Sequence, residues 1–262
     1  MIANYHTHTA RCGHAKGADR EYVECAIRAG FRKLGISDHV PVPFPGGFVS
    51  PIRMRTEQIG EYIDSLTRLR SEYRDDIELY IGFETEYYPD IFDATMELLS
   101  AYPVDYLILG QHYLHNEQGA LRTTRPTASE QDLTQYVDQV IGGMKTGLFT
   151  YIAHPDTLNF TGDETLYADE MRRLCRAANQ YRLPLEFNIT GLREPCIYPC
   201  GRFFRIAAEE GCPVIMGLDA HDPGVLLRDE DIRDGKAFAK KLGLAILDDV
   251  PLVTPFAKAK KG

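Results

Sequence analysis

Seven short apolar runs, each followed by an amphipathic stretch of helical length, constrain this chain more than any other feature. The runs are Ile2–Tyr5, Lys33–Ser37, Ile77–Phe83, Val104–Gly110, Thr150–Ala153, Leu185–Asn188 and Val214–Leu218. Helical patterns fill the gaps at Arg20–Ala29, Thr56–Arg74, Ile91–Ala101, Glu130–Thr146, Glu164–Gln180, Arg202–Glu210 and Asp229–Leu242. Strands joined by helical crossovers lie parallel, and the helices then cover the sheet. Both a closed barrel and an open doubly wound sheet satisfy this pattern. Gly30, Gly147 and Gly211 directly follow helical patterns, where a left-handed cap is expected. One segment, Pro41–Pro51 (PVPFPGGFVSP), is too rich in proline and glycine for helix or central strand. It reads as a loop and a candidate lid, with Phe44 and Phe48 available to exclude water.

The chain has 262 residues, which suits a single α/β domain spanning 1–262, and its 44% hydrophobic content supplies an ordinary core. A net charge of −9 disfavours a nucleic-acid polymer as partner. The start, MIANYHTHTA, has no basic segment leading into an apolar run, and nowhere is there a run near the roughly 20 apolar residues that span a bilayer. The expectation is a cytoplasmic protein with no membrane partner. The six cysteines are scattered and are expected to be reduced thiols. Cys196 and Cys200 are close in sequence, but one such pair is a weak signal for a disulfide or a metal. The closing AKAKKG is a short basic tail, expected to be frayed.

Histidine placement carries the functional signal. Of the eight histidines, seven fall at or just beyond the end of an expected strand: His6, His8, His14, His39, His112, His154 and His221. Only His115 has no place in the pattern and is read as exposed or at a rim. In parallel α/β folds, the carboxyl ends of the strands are where sites assemble. His6 and His8 are two apart, hence on one face of an extended chain, and Asp219 and His221 repeat that spacing. Asp38-His39 and His154-Pro155-Asp156 stand at two other strand ends. Strand three ends in Glu84 and Glu86, a same-face carboxylate pair in which Glu84 could bridge two cations. Imidazoles with a few carboxylates suit Zn, Fe or Mn better than Ca or Mg, and this many donors exceed the needs of one ion.

In order along the chain, HTHT, CGHA, SDH, GFE, the histidine after strand four, AHPD and GLDAH resemble the signature of the PHP (polymerase and histidinol phosphatase) superfamily. The resemblance runs from residue 5 to about residue 225. Within the superfamily, CGHA, the proline-rich loop and LEFNITGLR are most similar to the stand-alone histidinol-phosphate phosphatases. The resemblance implies a distorted (β/α)7 barrel with a trinuclear centre at the carboxyl ends of the strands. It implies that a first metal takes His6, His8, Glu84 and Asp219, a second shares Glu84 and adds His112 and His154, and a third takes His14, His39 and His221. Gln111 before His112 and Leu218 before Asp219 depart from common forms of the motifs.

The activity implied by such a centre is phosphomonoester hydrolysis of L-histidinol phosphate, a small phosphorylated metabolite of histidine biosynthesis. Water bridging two metals is acidified enough to attack phosphorus at neutral pH. Asp219, Glu84 and His221 are the candidate catalytic groups, with Asp219 able to orient the nucleophile and take its proton. Arg193 is the candidate phosphate clamp, joined by His14 and His39 against the substrate. Asp38 and Asp156 are candidate orienters of imidazole or local caps, Glu86 a hydrogen-bonding neighbour, and Tyr87 and Tyr88 pocket walls or packing. A nucleotide phosphatase or nuclease on the same scaffold is the alternative. A binding module with a vestigial site would have lost some of these donors.

Overall fold

The computed structural model describes residues 1–194 and 196–256, so the AKAKKG tail lies outside the described residues. Strands and helices alternate as the periodicity demands: β1 Ala3–Asn4, α1 Asp19–Arg28, β2 Lys33–His39, α2 Ile59–Glu72, β3 Glu78–Thr85, α3 Phe92–Ser100 and β4 Tyr106–Leu109 form the first half. The second half is α4 Glu130–Lys145, α5 Glu164–Tyr181, β5 Leu185–Asn188, α6 Gly201–Glu209, β6 Val214–Gly217, α7 Asp229–Lys241 and β7 Ile246–Leu247. Every strand pair is parallel, in the orders β1-β2-β3-β4 and β5-β6-β7. The result is an α/β fold built on a curled parallel sheet. Helix ends agree with their sequence signals: Ser129 and Asp163 cap α4 and α5 through their side chains, and Gly30, Gly147 and Gly211 all have positive φ.

Three strand expectations change. The run Thr150–Ala153 is not a regular strand but a single bridge residue, Ile152, which pairs with Leu109 on one side and Leu185 on the other. Its backbone still bonds both neighbours, through Thr150 N to Leu107 O (2.8 Å) and Glu186 N to Ile152 O (2.8 Å). The run ends because His154, immediately after it, adopts φ 27° and turns the chain. The first strand contracts to Ala3–Asn4, since beyond it Thr7 O accepts from Ser37 while His6 and His8 bond the backbone of Ala220. The edge strand β7 has no sequence counterpart, because two residues carry no period.

The main core lies between the sheet and the surrounding helices. A second, smaller cluster of Ala3, Tyr5, Tyr106, Ile108, Tyr151, Ala153, Ile215 and Val250 is drawn from the strands' other faces. Tyr106 organises it. Its hydroxyl donates to Tyr5 O (2.8 Å), and its side chain crosses two glycines, one on β3 and one on β2 beyond it. A Cβ on Gly35 would come 2.2 Å from Tyr106 Oη, and one on Gly82 would come 2.6 Å from Tyr106 O. Those glycines exist to admit the tyrosine. Because the contact at Gly82 is with backbone, it has no cheap relief. Gly82→Ala is therefore expected to destabilise the fold by about 1–3 kcal/mol, read as a lower urea midpoint at unchanged m-value.

Candidate metal centre

The seven strand-end histidines converge. Glu84, at the end of β3, is 1% exposed and stands at their centre. Its Oε2 lies 3.5 Å from His6 Nε2, 3.5 Å from His8 Nε2 and 3.0 Å from His39 Nδ1. Its Oε1 lies 2.7 Å from His154 Nε2 and 3.4 Å from His112 Nε2. Asp219 Oδ1 is the second focus, 3.4 Å from His6 Nε2, 3.1 Å from His8 Nε2 and 3.4 Å from His221 Nδ1. At the outer end, His14 Nε2 and His221 Nε2 are 3.0 Å apart, with His39 beside them.

Four of these rings are aimed by what holds their other nitrogen. His6 Nδ1 donates to Glu186 Oε1 (2.8 Å) and His112 Nδ1 to Glu86 Oε1 (2.8 Å). His14 Nδ1 donates to Cys12 O (3.0 Å) and His221 Nδ1 to Asp219 O (3.1 Å). A proton fixed on Nδ1 leaves Nε2 facing inward with its lone pair, the usual way a protein presents imidazole to a metal. Asp38 bonds Thr9 Oγ1 and the His39 backbone N–H, with His8 Nδ1 at 3.5 Å.

Protonation obeys the same geometry. Burial pushes the carboxyl of Glu84 up, but His112, His6, His39 and His154 more than offset this and hold it well below the usual range. Asp219 is lowered in the same way by His6, His221 and His8 against its burial. Burial opposes charge on His6 and His8. Even so, Glu186, Asp219 and Glu84 hold His6 well above its ordinary value, and Asp219 and Asp38 raise His8 to about 9. His39 falls well below, and His221 falls to about 3, through burial and repulsion from His8. Both carboxylates are thus drawn toward the ionised form.

The residues present fit divalent cations. His6 Nε2, His8 Nε2, both oxygens of Glu84 and Asp219 Oδ1 are buried with no hydrogen-bond partner, and all face common points. Orphaned buried polar atoms cost about 1–3 kcal/mol each, so a cluster of them needs an electrophile. Space is reserved for the carboxylates too. A Cβ on Gly110 would come 2.1 Å from Glu84 Oε1, and one on Gly217 would come 1.8 Å from Glu186 Oε1. Both His154 (φ 27°) and Asp219 (φ 46°) hold left-handed backbone, a strain of about 1–3 kcal/mol each that collects at functional sites.

A cavity of about 660 Å³ opens on this cluster, lined by His14, His39, Glu84, His112, Asp219 and His221 and walled by Lys16, Ile52, Arg122, Arg193, Glu194, Cys196 and Tyr198. Arg193 reaches it, as does Tyr198, whose ring lies 5.5 Å from that of His154. Tyr87 and Tyr88 do not line it. Tyr87 packs on Phe92, while Tyr88 is buried beside Arg53. Phe44 and Phe48 pack on each other, and Phe44 on Tyr88, and neither lines the cavity; the loop is tied down by Ser50 Oγ donating to Glu117 (2.6 Å). Asp156 makes no hydrogen bond or ion pair with an imidazole among the described residues. It accepts from Cys200 N (2.5 Å), and burial pushes its carboxyl up to about 7. His115 is exposed and bonds Gln135, away from the cluster. All six cysteines are free.

Two buried groups went unread in the sequence. Glu186 grips His6 and accepts from the His154 backbone N–H (3.0 Å); a lone carboxylate within the apolar run LEFN was its only sign. Arg53 bonds Glu86 through both terminal nitrogens, and its Nε donates to Glu117 (2.8 Å), so it braces the carboxylate that aims His112. Nothing in the local sequence RMR marks it.

The PHP domain family matches residues 4–190 of this sequence. The chain belongs to the PHP domain family. A relative named "Probable histidinol-phosphatase" from Deinococcus radiodurans is 34% identical over 236 residues, covering 85% of this chain and 87% of its own. The "Histidinol-phosphatase" of Bacillus subtilis is 24% identical, with 84% and 93% covered. Among solved structures, a Lactococcus lactis histidinol phosphate phosphatase, complexed with zinc, L-histidinol and phosphate, superposes with a TM-score of 0.73 at 18% identity, covering 97% of each chain. That likeness shows the PHP fold. If the glycine at 110 reserves room for Glu84, Gly110→Ala should lower metal affinity on the order of 10–100-fold while far-UV circular dichroism is unchanged, measured by metal content after dialysis.

Proposed function

We propose that this chain hydrolyses L-histidinol phosphate to L-histidinol and phosphate as a metal-dependent phosphomonoesterase of histidine biosynthesis. The observation that carries this reading is Glu84: an ionised, fully enclosed carboxylate with five imidazoles around it, no hydrogen bond, and a cavity alongside. Family membership and the 34% identical relative, which covers most of both chains, support the substrate. The bridges Leu109–Ile152–Leu185 and Thr7–Ala220 support reading the two sheets as one distorted seven-membered barrel in a single domain.

His6, His8, Glu84 and Asp219 would hold one cation, Glu84 with His112 and His154 a second, and His14, His39 and His221 a third. Bound Zn, Fe or Mn would supply activated water at neutral pH and neutralise charge on the phosphate. Asp219 keeps its Oδ2 in a hydrogen bond from Asn188 Nδ2 (3.2 Å), which leaves Oδ1 to orient the nucleophile and accept its proton. Glu84 and His221 complete the reacting face. Arg193 binds the phosphate oxygens, together with His14 and His39, which line the same cavity. The cavity takes a small metabolite, and the acidic balance of −9 offers a nucleic-acid backbone no favourable field. Free thiols at every cysteine accord with a cytoplasmic setting.

Metal-loaded protein should turn over histidinol phosphate in preference to mononucleotides. Thorough chelation should abolish turnover, and adding metal back should restore it. Steady-state assay paired with elemental analysis checks this, and turnover that survives chelation would sink the metal reading. Arg193→Ala should raise KM about 10-fold or more at unchanged metal content, as expected for loss of a charge-assisted hydrogen bond.

A further inference from the structure

Arg193 presents a physical problem that the metal cluster does not solve. Its side chain is only 5% exposed, and a guanidinium taken out of water needs a counter-charge. Nη2 donates to Leu218 O and Thr190 Oγ1, both at a long 3.4 Å, and Nη1 is buried with no hydrogen-bond acceptor among the described residues. The carboxylate paired with it among the described residues is Asp231, whose Oδ2 lies 3.7 Å from Nη1. Asp231 is 8% exposed, does not line the cavity, and is itself held by Arg228 Nε at 2.9 Å.

We propose that Asp231 is a positioning residue, which holds Arg193 in the cavity wall so that its guanidinium meets the phosphate of the substrate. The proposal rests on the reading of Arg193 as the phosphate clamp. Helix packing delivers the carboxylate to its place. Asp231 and Gly235 are four apart on α7, hence on one face. A Cβ on Gly235 would come 2.8 Å from Ile189 Cγ2 and 3.2 Å from Met216 Cε, so the glycine lets α7 lie close against the turn Thr190–Leu192. Arg193 comes directly after that turn. Sliding α7 outward by the width of a methyl group would withdraw the carboxylate from the guanidinium. Asp231 also lies in the first turn of α7, where an acidic residue favours the helix dipole. That role alone predicts an effect on stability and none on substrate binding.

The test is a double-mutant cycle on metal-loaded protein with Asp231→Asn, Asp231→Glu, Arg193→Ala and Arg193→Ala/Asp231→Asn. KM and kcat are measured with histidinol phosphate, the inhibition constant with inorganic phosphate, and metal content and Tm in parallel. Asp231→Asn should raise KM and the phosphate inhibition constant on the order of 10-fold, with kcat and metal content within about 2-fold of wild type. Asp231→Glu should recover part of the loss, and the double variant should be no worse than Arg193→Ala. The idea is overturned if Asp231→Asn lowers Tm without moving either constant, tightens phosphate binding, or adds its full effect to that of Arg193→Ala. If the wild type fails to turn over histidinol phosphate, the functional reading falls. Calorimetric binding of inorganic phosphate to the wild type and the same four variants then still decides the pair.

Discussion

A single buried carboxylate sets the terms for the rest of the molecule. Glu84 is ionised, surrounded by five imidazoles and supplied with no hydrogen bond. In a low-dielectric interior, such a group is costly unless positive charge stands close on several sides. The fold meets that requirement by bringing His6, His8, His39, His112 and His154 to it from different strand ends. What remains unsatisfied is a set of lone pairs converging on the same points, and this is the physical definition of a cation site. Partners for the outer nitrogens, Glu186 and Glu86 among them, keep those lone pairs pointed inward.

Holding like-charged acids and mutually repelling imidazoles together demands rigidity elsewhere. Some of it comes from exclusion of alternatives: Gly110 and Gly217 leave room for Glu84 and Glu186 and for nothing larger. Some comes from the layer beneath, where Tyr106 fills the space over Gly35 and Gly82. A third part is the buried Arg53, which ties the proline-rich loop, Glu86 and Glu117 into one unit. The proline-rich segment is consequently a brace packed beside the site, with Phe44 turned to Tyr88 and Phe48 packed on Phe44, and not a cover over it. Strained backbone at His154 and Asp219 shows that the surroundings dictate ligand direction against local preference.

Much of this was legible in the chain. Helix limits fall within three residues of the periodic patterns, and capping residues mark several of them. Seven strand-end histidines, Glu84 and Asp219 were recognisable because period-2 spacing and strand-to-loop boundaries place such residues without knowledge of the fold. Tertiary detail was less visible. Ile152 stands alone as a bridge because the turn at His154 cuts its strand short, and nothing in the letters GLFTYIAHP forbids one more extended residue. Glu186, Arg53 and Asp231 each act on a residue far away in sequence, and no local period records that.

The sequence by itself determined the alternation of strand and helix, and with it the end of the sheet at which the donors gather. Backbone periodicity and chain direction are local properties. Which imidazole faces which carboxylate, which nitrogen carries the proton and which arginine is braced from behind were decided only by the tertiary structure. Those choices depend on distances of about 3 Å between residues far apart in the chain, 207 positions for His14 and His221, and only close packing sets distances of that kind.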